Sequence, residues 1–279
     1  MIEKNGRVAV VTGVTGKFGR GIARGLALRG WSVVGTGRRK DRGLEFEKAL
    51  TGEGADVLFV QGDVSRVEDC EQIVEATVRS YGRVDLLVNN AATLTWPPFI
   101  DTHDLVEENY DQVMDTNLKG TFYMSAHALR AMVGQRSGNI VNIASAHGQG
   151  YGPPRMSAYV ASKAGVIALT KTLSQEYAER GIRVNAVVLG AAEGDAAYHV
   201  EDQRGKERLG DGYEPAPFDE RDTGRITGEY LAATIEYLAG EDSRHMNGSA
   251  VTVDQGLSAG GYWKWVAEGI RTLTAGPKA

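Results

Sequence analysis

The chain has 279 residues, 42% of them hydrophobic, enough for one sizeable core without requiring two. A formal net charge of -5 argues against a nucleic-acid surface, which needs clustered positive charge, and one cysteine, Cys70, excludes an internal disulfide and reads as an ordinary helix residue. Met1 to Gly6 runs straight into an apolar pattern without a signal-peptide core, and no later stretch has the length of a membrane span, so a soluble, cytoplasmic protein is expected.

In chain order, the apolar run Arg7 to Val11 leads into Thr12-Gly13-Val14-Thr15-Gly16-Lys17-Phe18-Gly19 and then an amphipathic stretch from Gly21 to Arg29. This is a strand, a glycine turn and a helix. Glycines at such a turn let a pyrophosphate approach the backbone amides of the helix start. Further strand patterns lie at 32–36, 56–60, 84–88, 139–143, 183–188 and 250–253, with helical patterns between them. The longest helices are expected around Leu105 to Met132 and Ala158 to Arg180. Short apolar strands alternating with helices predict an α/β fold, a single-domain, Rossmann-like, doubly wound parallel sheet of about seven strands with helices on both faces. That domain spans residues 1–279, with a substrate loop at about 191–227 and a tail at 262–279.

Tyr159-Val160-Ala161-Ser162-Lys163 sets a phenol and an ammonium four residues apart in a helical segment, so both share one face. A tyrosine titrates near ~10 and is a poor proton donor or acceptor at neutral pH. A cation at roughly 4 Å, in an effective dielectric of about 20, favours the phenolate by roughly 4 kcal/mol, bringing the group close to ~7, where acid–base chemistry works best. Alone, the pair reads first as a partly buried tyrosine beside a solvated lysine. The ordered motifs around it change that reading.

Together these segments resemble the short-chain dehydrogenase/reductase family, in its NADP-preferring, 3-oxoacyl reductase or sugar dehydrogenase-like forms. Thr12 to Gly19 approximates the family's Thr-Gly-x-x-x-Gly-x-Gly turn, with Lys17 where the middle glycine usually stands; Gly13, Gly16 and Gly19 instead follow the epimerase-like spacing. Asp63 and Val64 look like the pair that meets the adenine ring, and Asn89-Asn90-Ala91-Ala92 resembles the segment closing the fourth strand. Asn117, Ser145, Tyr159 and Lys163 match the catalytic tetrad, although the Ser145–Tyr159 spacing is one residue longer than the family's. Tyr151 is a decoy as the acid–base group, with Arg155 four residues on and a Pro/Gly loop around it. The likeness covers about Gly6 to Gly190 and Gly248 to Gly256, and is weaker at Leu189-Gly190-Ala191-Ala192-Glu193-Gly194, which replaces a Pro-Gly opening.

The resemblance implies hydride transfer between nicotinamide and a carbonyl or secondary alcohol. Tyr159 would be the acid–base group, Lys163 would lower its pKa and bind the nicotinamide ribose, Ser145 would orient the carbonyl oxygen, and Asn117 would hold a water leading to Lys163. Gly13, Thr15, Gly16, Lys17, Phe18, Gly19, Asp63, Val64, Asn90, Ala91, Ala92, Gly190 and Ala192 would hold the dinucleotide. NAD-preferring sites place an acid about 20 residues beyond the glycine turn. Here Gly37 is followed by Arg38, Arg39 and Lys40, and a guanidinium grips a 2'-phosphate where a carboxylate would repel it. NADP(H) is therefore expected in preference to NAD(H).

The polar first half of the stretch from Glu193 to Arg225 reads as an ordinary solvated loop or as the wall for a polar alcohol such as a polyol or sugar acid, with Trp96, Phe99, His147 and Tyr151 as substrate-contact candidates. No spacing resembles a metal site. The long helices resemble those that pair across subunits in the family, so a homotetramer or homodimer is expected. Two other readings stay open on the residues alone: a catalytically weak dinucleotide-binding sensor or assembly protein, and a nicotinamide-retaining epimerase or dehydratase.

Overall fold

The computed structural model describes residue 2 and residues 4–94, 99–149, 152, 154–190, 226–254 and 256. Seven strands, β1 (Val8–Thr12), β2 (Ser32–Gly37), β3 (Val57–Gln61), β4 (Leu86–Asn89), β5 (Gly138–Ser145), β6 (Ile182–Leu189) and β7 (Ala250–Val253), form one sheet in the order β3-β2-β1-β4-β5-β6-β7. Every neighbouring pair is parallel. Among the described residues, the α-helices are α1 (Lys17–Ala27), α2 (Lys40–Gly52), α3 (Val67–Tyr81), α4 (Glu107–Met114), α5 (Gly120–Gln135), α6 (Ser157–Tyr177) and α7 (Gly228–Ala239).

Alternation along the strands divides the apolar residues between two layers. Ala9, Val11, Val33, Leu86 and Val88 face a core shared with Ile22 and Leu26 of α1, Phe46 of α2, and Leu231 and Ile235 of α7. Val10, Val34 and Leu87 face the opposite core, with Ile73 of α3, Met124 and Met132 of α5 and Leu173 of α6. A strand buried on both faces has no polar side, which is why β1 reads as an unbroken apolar run.

The strands follow the sequence expectation with ends displaced by a residue or two. Thr12, Asn89 and Ser145 belong to the strands because ladder pairing continues past the last apolar residue. The expected 105–132 helix is two helices joined by a π-helical turn, Asp115–Lys119. Cys70 is buried in α3, its thiol on the Val64 carbonyl at 3.3 Å and pushed up to about 12, chiefly by burial. Among the described residues, no helix is long and apolar enough to cross a membrane.

Chain order reverses between β1 and β4, and the crevice at such a switch point, beyond the strands' carboxyl ends, is where open α/β sheets bind ligands. The glycine turn, Asn90 and Gly190 follow strand carboxyl ends, and Ser145 is the last residue of β5.

Candidate active site

The turn after β1 is tied to both neighbouring strands. Gly13 and Val14 donate their amides to the Thr36 carbonyl at 2.8 and 3.0 Å. The Thr12 hydroxyl accepts the amides of Asn90 and Ala91, each at 2.9 Å, and the Asn90 carboxamide donates to the Thr12 carbonyl at 2.8 Å. A Cβ at Gly13 would lie 2.9 Å from Asn90 Nδ2, and one at Gly19 would lie 2.6 Å from the same atom. Gly13 also has φ +81°, so two requirements there exclude a side chain. Helix α1 starts at Gly16 with no side-chain cap and no acidic residue in its first turn. Such a helix start attracts an anion. Glycines pressed to the wall and an uncapped helix start fit the pyrophosphate of a dinucleotide.

At the end of β2, Gly37 packs so closely on Thr15 that a Cβ would meet Thr15 Cγ2 and Oγ1 at 2.7 Å. Arg39 donates to the Thr15 carbonyl at 2.7 Å, bracing the glycine turn from outside. Arg38 is exposed, its guanidinium 3.9 Å from Asp63 Oδ2, while Asp63 Oδ1 accepts from the Ser65 amide and hydroxyl. Val64 is buried beside it. Two arginines, Thr15 and Asp63 thus gather around the position of residue 37.

Tyr159 and Lys163 lie one turn apart on α6. Lys163 is 3% exposed, a costly place for an ammonium unless it is hydrogen-bonded. Its Nζ donates to the Ile143 carbonyl at 2.8 Å and lies 5.8 Å from the Tyr159 ring centre. Ser145, two residues beyond Ile143, is buried at the end of β5 and accepts the His147 amide on Oγ at 3.3 Å. The short 3-10 turn Ala146–Gly148 then packs on α6. A Cβ at Gly148 would sit 2.7 Å from the Lys163 carbonyl carbon, and the His147 ring meets Tyr159 edge-on with centroids 6.4 Å apart. Strand, turn and helix thereby enclose Ser145, Tyr159 and Lys163 in one corner. Burial pushes the half-buried His147 imidazole down to about 4, so it is neutral at pH 7.

Asn117 sits in the π turn, 1% exposed. Its Oδ1 accepts the Thr93 amide at 2.8 Å, and its Nδ2 donates to the Thr93 carbonyl and to Ser162 Oγ, both at 3.0 Å. Ser162 donates in turn to the Tyr159 carbonyl at 2.7 Å. Three of the carboxamide's four hydrogen-bonding capacities are therefore held by protein. Asn117 thereby cross-links the loop after β4 to α6. Sequence reasoning missed Ser162, although a hydroxyl beside the motif lysine was the available signal.

Gly190 follows β6 and donates its amide to the Val253 carbonyl at 3.2 Å. Ala91 and Ala92 follow Asn90, with Ala92 exposed. Trp96, Tyr151, Ala192, the polar 193–225 stretch and the 262–279 tail lie outside the described residues. Among the described residues, no group of three or more His, Cys, Asp or Glu could hold a metal ion.

Residues 7–205 match the family profile described as short chain dehydrogenase. The chain is 34% identical over 254 residues to the 3-oxoacyl-(acyl-carrier-protein) reductase FabG of Staphylococcus epidermidis, across 89% of this chain and 98% of that protein. It is 33% identical over 260 residues to an uncharacterized oxidoreductase of Thermotoga maritima, across 91% and 98% respectively. Among solved structures, an actinorhodin polyketide ketoreductase with NADPH superposes with a TM-score of 0.82 at 33% identity, over 92% of this chain and 99% of that one. Profile, relatives and fold agree over most of the length, and the chain belongs to the short-chain dehydrogenase/reductase family, as an alcohol dehydrogenase or carbonyl reductase that uses a nicotinamide dinucleotide.

Proposed function

We propose that this protein is an NADP(H)-dependent oxidoreductase acting on a carbonyl or secondary alcohol, with Tyr159, Lys163, Ser145 and Asn117 as its reaction machinery. The observation that carries the reading is the corner in which Lys163 reaches the Ile143 carbonyl, Ser145 ends the same strand and Tyr159 faces the His147 turn.

The dinucleotide, when bound, supplies or accepts the hydride. Gly13, Gly16, Lys17, Phe18 and Gly19 would hold its pyrophosphate, and Asp63 and Val64 its adenine. Thr15, Arg38 and Arg39 would hold the 2'-phosphate, with Asn90, Ala91, Ala92, Gly190 and Ala192 along the nicotinamide end. Their preference for NADP(H) rests on the glycine at 37 and the two guanidinium groups beside it. A relative that reduces 3-oxoacyl groups and a ketoreductase solved with NADPH point the same way.

Tyr159 gives its phenolic proton to the carbonyl oxygen during reduction and takes it back from the alcohol during oxidation. The Lys163 ammonium favours the phenolate that this leaves. Ser145, accepting the His147 amide, keeps its own proton to donate to the substrate oxygen. Asn117 acts through Ser162 as a positioning residue, fixing the turn of α6 that carries Tyr159.

The test is a panel of ketones and secondary alcohols followed at the nicotinamide absorbance, with Tyr159→Phe as control. Turnover that falls on the order of 10²–10⁴-fold in the variant, with NADPH affinity kept, is the expected result. Equal activity in wild type and variant would overturn it. Tightly retained cofactor with no net redox change would favour the epimerase reading instead.

A further inference from the structure

Two loops meet at the start of the catalytic helix, and both depart from ordinary backbone geometry. Phe99 (φ 64°) follows β4, and Arg155 (φ 71°) precedes α6; both are non-glycine residues in the left-handed region. Such strain persists where the surroundings over-determine it, and it concentrates at functional sites. Here the surroundings are two ties. Arg155 Nε bonds Asp101 Oδ1 at 2.9 Å, and the Thr102 hydroxyl bonds the Ser157 hydroxyl at 3.1 Å. Helix α6 needs them, because its N-cap residue, Met156, provides no side-chain cap and Tyr159 lies in its first turn.

Between the loops lies a small concavity. Leu94, Ile100 and Leu105 line it from one side, and Met156, Ala158 and Tyr159 from the other. Its cavity volume is about 10 Å³, room for a single group the size of a water or a methyl. Arg155 borders it, with its guanidinium turned to Asp101.

We infer that the Asp101–Arg155 ion pair, with the Thr102–Ser157 bond, is a clasp that shapes the substrate wall beside Tyr159 and selects a short alkyl substituent on the carbonyl carbon. Asp101 and Arg155 are then positioning residues for the substrate, with no part in holding the cofactor. Arg155 does not itself recognise an anionic substrate, because Asp101 already holds its charge. This rests on the reading of Tyr159 as the acid–base group.

The test compares Asp101→Ala, Arg155→Ala and the exchanged pair Asp101→Arg/Arg155→Asp on a methyl ketone, its longer-chain homologue and the corresponding oxo acid. Aspartate is among the residues that tolerate the left-handed region, so the exchange does not add strain at 155. Each single variant should raise KM for the methyl ketone about tenfold and erode its advantage over the homologue, while KM for NADPH stays within about twofold. The exchanged pair should recover most of the loss. Loss in Arg155→Ala alone, greatest with the oxo acid, would instead make Arg155 the anion-binding group and overturn the clasp.

Hydrogen exchange on the full chain without substrate gives a reading independent of turnover. Residues 99–105 should exchange faster in both single variants and return towards wild type in the exchanged pair. A wild type that turns over nothing yet shows this pattern sinks the enzymatic reading and leaves the clasp standing. An exchanged pair as open as the single variants overturns the clasp itself.

Discussion

The Lys163 ammonium lies 5.8 Å from the centre of the Tyr159 ring while donating to the Ile143 carbonyl at 2.8 Å. The cation is thus anchored to the strand that ends in Ser145 and directed along the face that carries the phenol. A point charge on a flexible stem fits this narrow space, and a planar guanidinium does not. Lys163→Arg should fold yet lose on the order of 10²-fold in kcat, and Lys163→Met should move the acidic limb of alcohol oxidation to higher pH. Steady-state rates across pH, with circular dichroism to check the fold, would measure both. Unchanged limbs in Lys163→Met would remove the electrostatic role.

The proposed NADP(H) preference turns on Gly37, a position without a side chain. Changing Gly37 to Asp places the new Cβ 2.7 Å from Thr15 Cγ2 and Oγ1. The double variant Gly37→Asp/Arg38→Ala should therefore lose NADPH affinity without gaining much for NADH. Adding Thr15→Ala removes the two clashing atoms and should complete the switch, with the NADPH/NADH ratio of kcat/KM falling by about 10²-fold or more. Fluorescence titration with each dinucleotide separates binding from turnover. A switch complete in the double variant would show that Thr15 does not restrict residue 37.

His147 links stability to pH. Burial holds its folded-state pKa at about 4, below the ordinary 6.5, so between those values the unfolded chain binds the extra proton. The site's contribution is whole above pH ~6.5, declines as pH falls and is lost near ~4. His127, also lowered, chiefly by burial, acts in the same direction. Urea unfolding should show His147→Gln losing about 2 kcal/mol less than wild type between pH 7 and 4.5. Parallel pH profiles for the two proteins would contradict the burial of this ring.

Helices α1 and α7 meet almost backbone to backbone. A Cβ at Gly228 would press on the Phe18 carbonyl oxygen and sit 2.6 Å from the Ile22 amide, in the opening turns of the proposed cofactor helix. Gly228→Ala should cost roughly 3 kcal/mol and weaken NADPH binding. Gly134→Ala is the counter-case, in α5 with nothing within 4 Å of its added Cβ, and should stabilise by about 0.5–1 kcal/mol. Thermal melts with and without NADPH would rank the two.

The expected homotetramer or homodimer has a surface to examine. Met114, Leu118, Phe122 and Leu169 border an open groove across α4, α5 and α6, with Phe122 47% exposed. Phe122→Asp should shift light scattering towards smaller species at micromolar concentration. Monomer alone in the wild type would remove the assembly proposal.

The alternation of short apolar runs with amphipathic stretches determined the layered α/β sheet, because a strand buried on both faces and a helix buried on one leave different periods in the chain. The positions of Gly13, Gly16, Ser145, Tyr159 and Lys163 were equally legible, since each is a residue type whose chemistry or conformation is local. Spacing could not show that Gly37 is closed by Thr15, that Asn117 reaches Ser162 through a π turn, or that Asp101 meets Arg155 across two strained loops. Those relations join residues 22, 45 and 54 positions apart. Only chain packing brings them within reach, and hydrogen bonds and steric contacts act over a few ångströms whatever the separation in sequence.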